Sequence, residues 1–181
     1  MSANNKLMEM LTGYAASHQH PFNVFVHMIG IPTIMLGVLI PLTRVAVEVD
    51  FDPPSLRFTL AHVVVAGFFL FYLTLDVLFA VAFLVFALLL TMLASLIGDL
   101  GSPTLWVVAA ACFFGGYAAQ FVGHAVEKSM PVLVRHPVQA NLAAPFFTVV
   151  EMFKILGLRD RLFNEVQQEI AARRDAESGS A

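Results

Sequence analysis

Residues 18–32, HQHPFNVFVHMIGIP, place three histidines and an asparagine at the start of a long apolar run. Pro21 suits the first turn of a helix, because the N–H that proline lacks would be unpaired there anyway. Asn23 and His27 are four residues apart, so they share one face of that helix. Burying an imidazole is costly unless a partner binds it. The stretch therefore predicts both the start of a helix and a functional role for its histidines.

The composition of the 181-residue chain indicates a membrane protein. Hydrophobic residues make up 59% of it and charged residues only 13%, whereas soluble domains are about half apolar and about a quarter charged. The net charge of −3 and the lack of a basic patch argue against nucleic acid as a partner. The single cysteine, Cys112, excludes an intramolecular disulfide.

Four apolar segments approach the length of about 20 residues that a transmembrane helix needs. They cover residues 23–42, 58–75, 77–97 and 104–122. The Pro53-Pro54 pair breaks the chain between the first two segments. The predicted fold class is all-α: a polytopic membrane bundle of about four transmembrane helices.

The region after the fourth segment is more mixed. Residues 143–157 are apolar for too short a distance to span a membrane, and Pro145 suits a first helical turn. They predict an amphipathic helix at the interface or over the bundle mouth. Residues 159–173 predict a short surface helix. We expect residues 1–170 to form one membrane-embedded catalytic domain and residues 171–181 to form a polar, disordered tail.

Lysine and arginine accumulate after the fourth segment, which predicts a cytoplasmic location for that side and, with four spans, for the N-terminus. The alanine- and valine-rich composition favours a bacterial inner membrane, or the endoplasmic reticulum if the host is a eukaryote. Of the histidines, only His62 should lie on the opposite side. Five should gather on the cytoplasmic side: His18, His20, His27, His124 and His136.

Imidazole is the commonest metal ligand in proteins, and three histidines from two helices would suit iron, zinc or a similar ion. His124 and Glu127 share a helix face, as do His124 and Gln120. Glu127 and Asn23 would orient the imidazoles or handle a proton.

Other readings stay open at this stage. His20 and His62 would also serve as anchors at the headgroup level. His27 and His124 would also serve as a hydrogen-bonded link between helices, or as the two axial ligands of a haem. A transporter is disfavoured by the low charge at mid-depth and the lack of an inverted repeat.

Two motifs carry a resemblance to a known family. Tyr14-x3-His18-x4-Asn23-x3-His27-x2-Gly30-x-Pro32, followed by Gln120-x3-His124-x2-Glu127-x3-Pro131, resembles the small membrane family of 2-hydroxy fatty acid dioxygenases. The resemblance spans nearly the whole chain. It implies an Fe(II)-dependent enzyme in a lipid bilayer that uses O2 to shorten a 2-hydroxy fatty acid by one carbon. It also implies a set of iron ligands: His18, His27 and His124, with His136 as a weaker candidate.

Overall fold

The protein is described here by a computed structural model, which covers residues 3–16, 18–47 and 58–178. The expected break at Pro53-Pro54 lies outside these residues. The elements, in chain order, are α1 (Ala3–Ala16), α2 (Pro21–Leu42), β1 (Ala46–Val47), β2 (Phe58–Thr59), α3 (Leu60–Leu73), α4 (Val77–Gly98), α5 (Thr104–Glu127), α6 (Val132–Arg135), α7 (Pro137–Ile155) and α8 (Asp160–Ser178). The all-α fold class is confirmed, with one short antiparallel pair in which Ala46 faces Thr59 and Val47 faces Phe58.

Three helices are long and apolar enough to cross a membrane, namely α2, α4 and α5. The segment predicted as the second span forms α3, which has only 14 residues. At about 1.5 Å per residue it is shorter than the hydrocarbon core of roughly 30 Å. Helices α7 and α8 are long and apolar enough to cross a membrane only when they are taken together, and they meet at a bend of 115°. The described residues therefore contain three candidate spans, or four if the bent pair counts as one.

Large apolar side chains are exposed along these helices. Phe25 on α2 is 61% exposed, Leu89 on α4 is 59% exposed and Phe114 on α5 is 69% exposed. A soluble protein rarely exposes apolar patches of this extent. These helices therefore form a membrane bundle whose outer faces suit contact with lipid.

Helices α2 and α5 pack antiparallel through small residues that recur every seven positions. A methyl group added at Gly37 would lie 2.6 Å from the backbone nitrogen of Phe113, and one added at Gly116 would lie 2.6 Å from Cγ1 of Ile34. One turn from the end of α5, Gly123 leaves the space that the side chain of Asn23 fills. Glycine permits this close approach of two backbones. The contact fixes the first turns of α2 beside the last turns of α5.

The bundle has two distinct ends. We call the end that holds the start of α2 and the last turns of α5 the site end. The opposite end, which we call the far end, holds the last turn of α2, the β1–β2 pair and the start of α3. The pairing of β1 with β2 places His62 at the far end, as predicted.

Helix α7 differs from the amphipathic helix expected over residues 143–157. It begins at Pro137, so Pro145 lies inside the helix rather than in its first turn. All seven residues from 145 to 151 are buried, because α1, α2 and α4 pack around this helix. It covers the bundle at the site end, which agrees with the second of the two placements expected from the sequence.

The tail expected to be disordered from residue 171 is helical through Ser178, as the last part of α8. Val166 and Ile170 are buried in the same apolar cluster as Leu7 and Leu11 of α1. This packing stabilises a helix whose remaining surface is polar. Residues 179–181 lie outside the described part of the chain.

Candidate metal centre

Three imidazoles meet at the site end. The ring centroids of His18 and His27 are 4.4 Å apart, those of His27 and His124 are 4.9 Å apart, and those of His18 and His124 are 5.0 Å apart. One nitrogen from each ring lies within 4.8 Å of the other two. All three side chains are buried. We call these three residues the histidine cluster.

The three members come from distant parts of the chain. His18 lies in the break between α1 and α2, His27 lies in the second turn of α2, and His124 lies in the last turn of α5. On one continuous helix His18 would point away from His27, since nine residues make two and a half turns. The break before Pro21 frees His18 to turn back toward His27, and the antiparallel contact of α2 with α5 brings in His124.

Each imidazole has its Nδ1 already bonded. Nδ1 of His18 lies 2.8 Å from the carbonyl oxygen of Tyr14, and Nδ1 of His27 lies 2.9 Å from that of Asn23. A carbonyl oxygen only accepts, so both Nδ1 atoms carry the hydrogen and donate it. Nδ1 of His124 lies 2.9 Å from the hydroxyl of Ser129. Metal-binding histidines are held in this way, because the bond at one nitrogen leaves the other free for the ion.

The chemical state of His18 fits a metal ligand. Burial lowers its pKa to about 3, and the neighbouring His27 contributes to the shift, so the ring is neutral at physiological pH. Its Nε2 is buried without a hydrogen-bond partner in the described part of the protein. An unpaired buried nitrogen destabilises the fold, and a bound cation would satisfy it. The three-imidazole donor set suits iron or zinc and leaves coordination positions free for other ligands.

Aromatic rings hold His18 in place. The ring of Tyr14 stacks on His18 with centroids 4.0 Å apart and planes 7° apart. Phe147 of α7 packs against Tyr14 at 3.9 Å. The sequence points to Tyr14 through its place in the motif. It gives no comparable signal for Phe147 or Ser129, because their roles arise only from the packing of α7 and from the turn after α5.

Glu127 and Asn23 join the start of α2 to the end of α5. One carboxylate oxygen of Glu127 accepts the backbone N–H of Gln19 at 2.7 Å and that of His20 at 3.2 Å. The other oxygen accepts a hydrogen bond from the side-chain amide of Asn23. Neither Glu127 nor Asn23 lines the cavity described below. Both lie where they position His18 and His27 rather than where they would touch a ligand.

The other histidines lie apart from the cluster. The side chain of His20 accepts the N–H of Phe22 and caps α2. His136, the fourth candidate ligand, is exposed between α6 and α7 and lines a separate cavity with Lys6 and Glu9. It is absent from the group of metal-compatible side chains found among the described residues. Its place at a helix junction, outside the packed centre, explains the difference from the sequence-based expectation.

A cavity of about 70 Å³ opens beside the histidine cluster. Apolar side chains from α2, including Ile31, Ile34 and Met35, form much of its wall. Tyr117, Gln120 and Asn141 supply polar groups. An apolar wall with a few placed polar groups is typical of small-molecule sites. The cavity wall suits the apolar part of a ligand whose polar end reaches the imidazoles.

Two matches relate this chain to known proteins. A family model described as Mpo1-like, 2-hydroxy-palmitic acid dioxygenase, matches residues 4–155. The chain is also 30% identical over 165 residues to 2-hydroxy-palmitic acid dioxygenase MPO1 of Saccharomyces cerevisiae, which covers 91% of this chain and 89% of the yeast protein. No solved structure matches the chain. The extent of both matches shows that this chain belongs to the Mpo1-like family.

Proposed function

We propose that this protein is an Fe(II)-dependent dioxygenase that shortens 2-hydroxy fatty acids by one carbon with O2. The observation that carries the proposal is the histidine cluster, with Nδ1 of each ring bonded and the remaining nitrogens gathered at the end of an apolar cavity. The yeast relative is named for action on 2-hydroxy-palmitic acid, which supports a substrate of that class.

His18, His27 and His124 would hold the ion through their free nitrogens. Iron, when bound, supplies the one-electron chemistry that O2 requires. The two backbone carbonyls and Ser129 fix the orientation of the rings. Because burial keeps His18 neutral, the ring is ready to bind a cation without first losing a proton.

The cavity would bind the acyl chain and place the carboxylate end of the substrate beside the cluster. Each methylene group that leaves water contributes about 0.8 kcal/mol to binding. The burial of the imidazoles and the cover provided by α7 keep bulk water away from the reacting end. Orientation of the substrate inside such a cavity is itself a source of rate enhancement.

Glu127 and Asn23 would act as positioning residues. The carboxylate would hold the backbone directly after His18 and, through Asn23, the turn that carries His27. We expect Glu127→Ala to weaken iron binding by about 10- to 100-fold, the range found for outer partners of metal ligands. Iron titration of the variant tests this role. An unchanged iron affinity would refute it, and Glu165→Ala on the exposed face of α8 is a matched control.

A haem centre is the rival candidate for His27 and His124. The geometry does not favour it, because the two rings are 4.9 Å apart and His18 contacts both. This packing leaves no gap for a porphyrin between them. A Soret band in the purified protein would reverse this conclusion.

We also propose that the protein lies in a bilayer, a bacterial inner membrane, with its site end in the cytoplasm. Lysine and arginine near the ends of the spans favour this orientation. Cysteine labelling of an introduced Met130→Cys, at an exposed position just after the last turn of α5, tests it in intact cells. Labelling by a membrane-impermeant reagent would place the site end outside.

The activity itself is tested with purified protein loaded with Fe(II). Incubation with 2-hydroxypalmitate in air should yield pentadecanoic acid, detected by mass spectrometry. The His124→Ala variant should yield none, and the His62→Ala variant should match the wild type. Iron-loaded wild-type protein that leaves 2-hydroxypalmitate unchanged would contradict the proposed function.

A further inference from the structure

Apart from the histidine cluster, one polar side chain of the cavity wall has no hydrogen-bond partner among the described residues. Tyr117 donates its hydroxyl to Oδ1 of Asn141 at 2.9 Å, and the amide of Asn141 donates to the carbonyl of Pro137 at 2.8 Å. The amide of Gln120 makes no hydrogen bond with any residue in the described part of the chain. Gln120 therefore adds a free amide to the cavity wall beside the unpaired imidazole nitrogens.

The position of Gln120 relative to the histidine cluster is well defined. It precedes His124 by four residues on α5, so the two side chains share a helix face and Gln120 lies about 6 Å deeper. Its Cγ packs over Gly30, 3.3 Å from where a methyl group on that residue would sit. Contact with the backbone of α2 thus restrains the stem of the side chain. Gln120 thus lies on the cavity wall one helical turn below His124.

We propose that Gln120 is a specificity-determining residue that recognises the C2 hydroxyl of the substrate. This inference rests on the proposed function. The amide oxygen of Gln120 needs a hydrogen-bond donor, and an ionised carboxylate has none to give. The hydroxyl is the only donor that a 2-hydroxy fatty acid carries. An unsubstituted fatty acid leaves the amide oxygen unpaired among apolar side chains, which lowers its affinity.

The test compares the binding of 2-hydroxypalmitate and palmitate to purified, identically metal-loaded protein. Wild type should bind the hydroxylated acid more tightly. Gln120→Met keeps the length of the side chain but removes the amide, and should reduce that preference by about tenfold while leaving palmitate affinity within about twofold. Gln168→Met makes the same chemical change on the exposed face of α8 and should leave both affinities unchanged.

A second variant separates recognition from packing. Gln120→Glu retains an acceptor of the same length, so it should keep the preference for the hydroxylated acid. Its negative charge should weaken the binding of both acids. If Gln120→Met binds metal normally and keeps the full wild-type preference, the assignment of Gln120 is wrong while the proposed function stands. Wild-type protein that binds neither acid would overturn the proposed function and the assignment with it.

Discussion

The two ends of the bundle use histidine in opposite ways. At the far end, Nδ1 of His62 lies 3.2 Å from the backbone nitrogen of Thr59 and accepts its hydrogen, and it also lies 2.9 Å from the hydroxyl of that residue. These contacts cap the start of α3. At the site end, His18 and His27 donate from Nδ1 to backbone carbonyls. The protonated nitrogen is therefore different at the two ends.

The difference shows that the surroundings, rather than the residue type, decide what a histidine can do. His62 uses the lone pair of Nδ1 to satisfy a backbone donor, so its role is local and structural. In the cluster, His18 and His27 satisfy backbone acceptors and retain a free lone pair at the opposite nitrogen. Burial then makes this lone pair costly to leave unpaired. Only the site end presents nitrogens that a cation would stabilise.

The strongest test of this comparison removes one imidazole from each end. We expect His27→Ala and His124→Ala to lose stoichiometric metal and to reduce turnover by more than about 100-fold, since even outer partners of ligands account for about 10- to 100-fold. His62→Ala should retain both. Metal analysis of the three purified variants measures the loss of metal. Full metal content in His27→Ala and His124→Ala would remove the basis for the candidate metal centre.

The close contact of α2 with α5 is tested by two neighbouring glycines. Gly116→Ala would place a methyl group 2.6 Å from Ile34, whereas the position of an added methyl group at Gly115 has nothing within 4 Å. Overpacking should lower the free energy of unfolding of Gly116→Ala by about 1–3 kcal/mol. Gly115→Ala should be as stable as the wild type or gain up to about 1 kcal/mol. Unfolding of both variants in detergent measures the difference, and equal stabilities would contradict the close approach.

Hydropathy alone predicts the long helices well. The structure places α2, α4 and α5 close to the predicted segments, because a span is recognised by composition and length. Helix α5 continues to Glu127 rather than ending near residue 122, since its last turn is polar but still packed against α2. The late start of α3 escapes prediction, because it is set by the pairing of β1 with β2.

The candidate site is predicted only in part. Topology and motif spacing point to His18, His27 and His124, since both ends of the sequence return to one side of the bundle. Ser129 could not be predicted, because it reaches His124 through a turn in which Lys128 adopts a left-handed conformation with φ of 56°. The placement of His136 away from the cluster likewise depends on how α6 and α7 pack.

Substitution of Ser129 changes the histidine cluster less than the loss of an imidazole does. Ser129 is the side-chain partner of a cluster histidine, whereas His18 and His27 are oriented by backbone carbonyls that mutation cannot remove. We expect Ser129→Ala to free the ring of His124 and to weaken metal binding by about tenfold. Ser129→Thr retains the hydroxyl and should restore most of the affinity. Metal titration measures the affinity of both variants. A Ser129→Ala variant that binds metal as tightly as Ser129→Thr would show that the hydroxyl does not orient the ring.

The smallest effect is expected at the far end. His62→Ala removes the side chain that accepts the N–H of Thr59, so the start of α3 should lose about 0.5–2 kcal/mol, as other helix caps do. His62→Asn retains a short acceptor and should recover part of this loss. Metal content should be the same in all three proteins, because His62 and the cluster lie at opposite ends of the bundle. A loss of metal in His62→Ala with normal α-helix content would mean that the two ends are coupled, and that the separation of capping from metal binding is wrong.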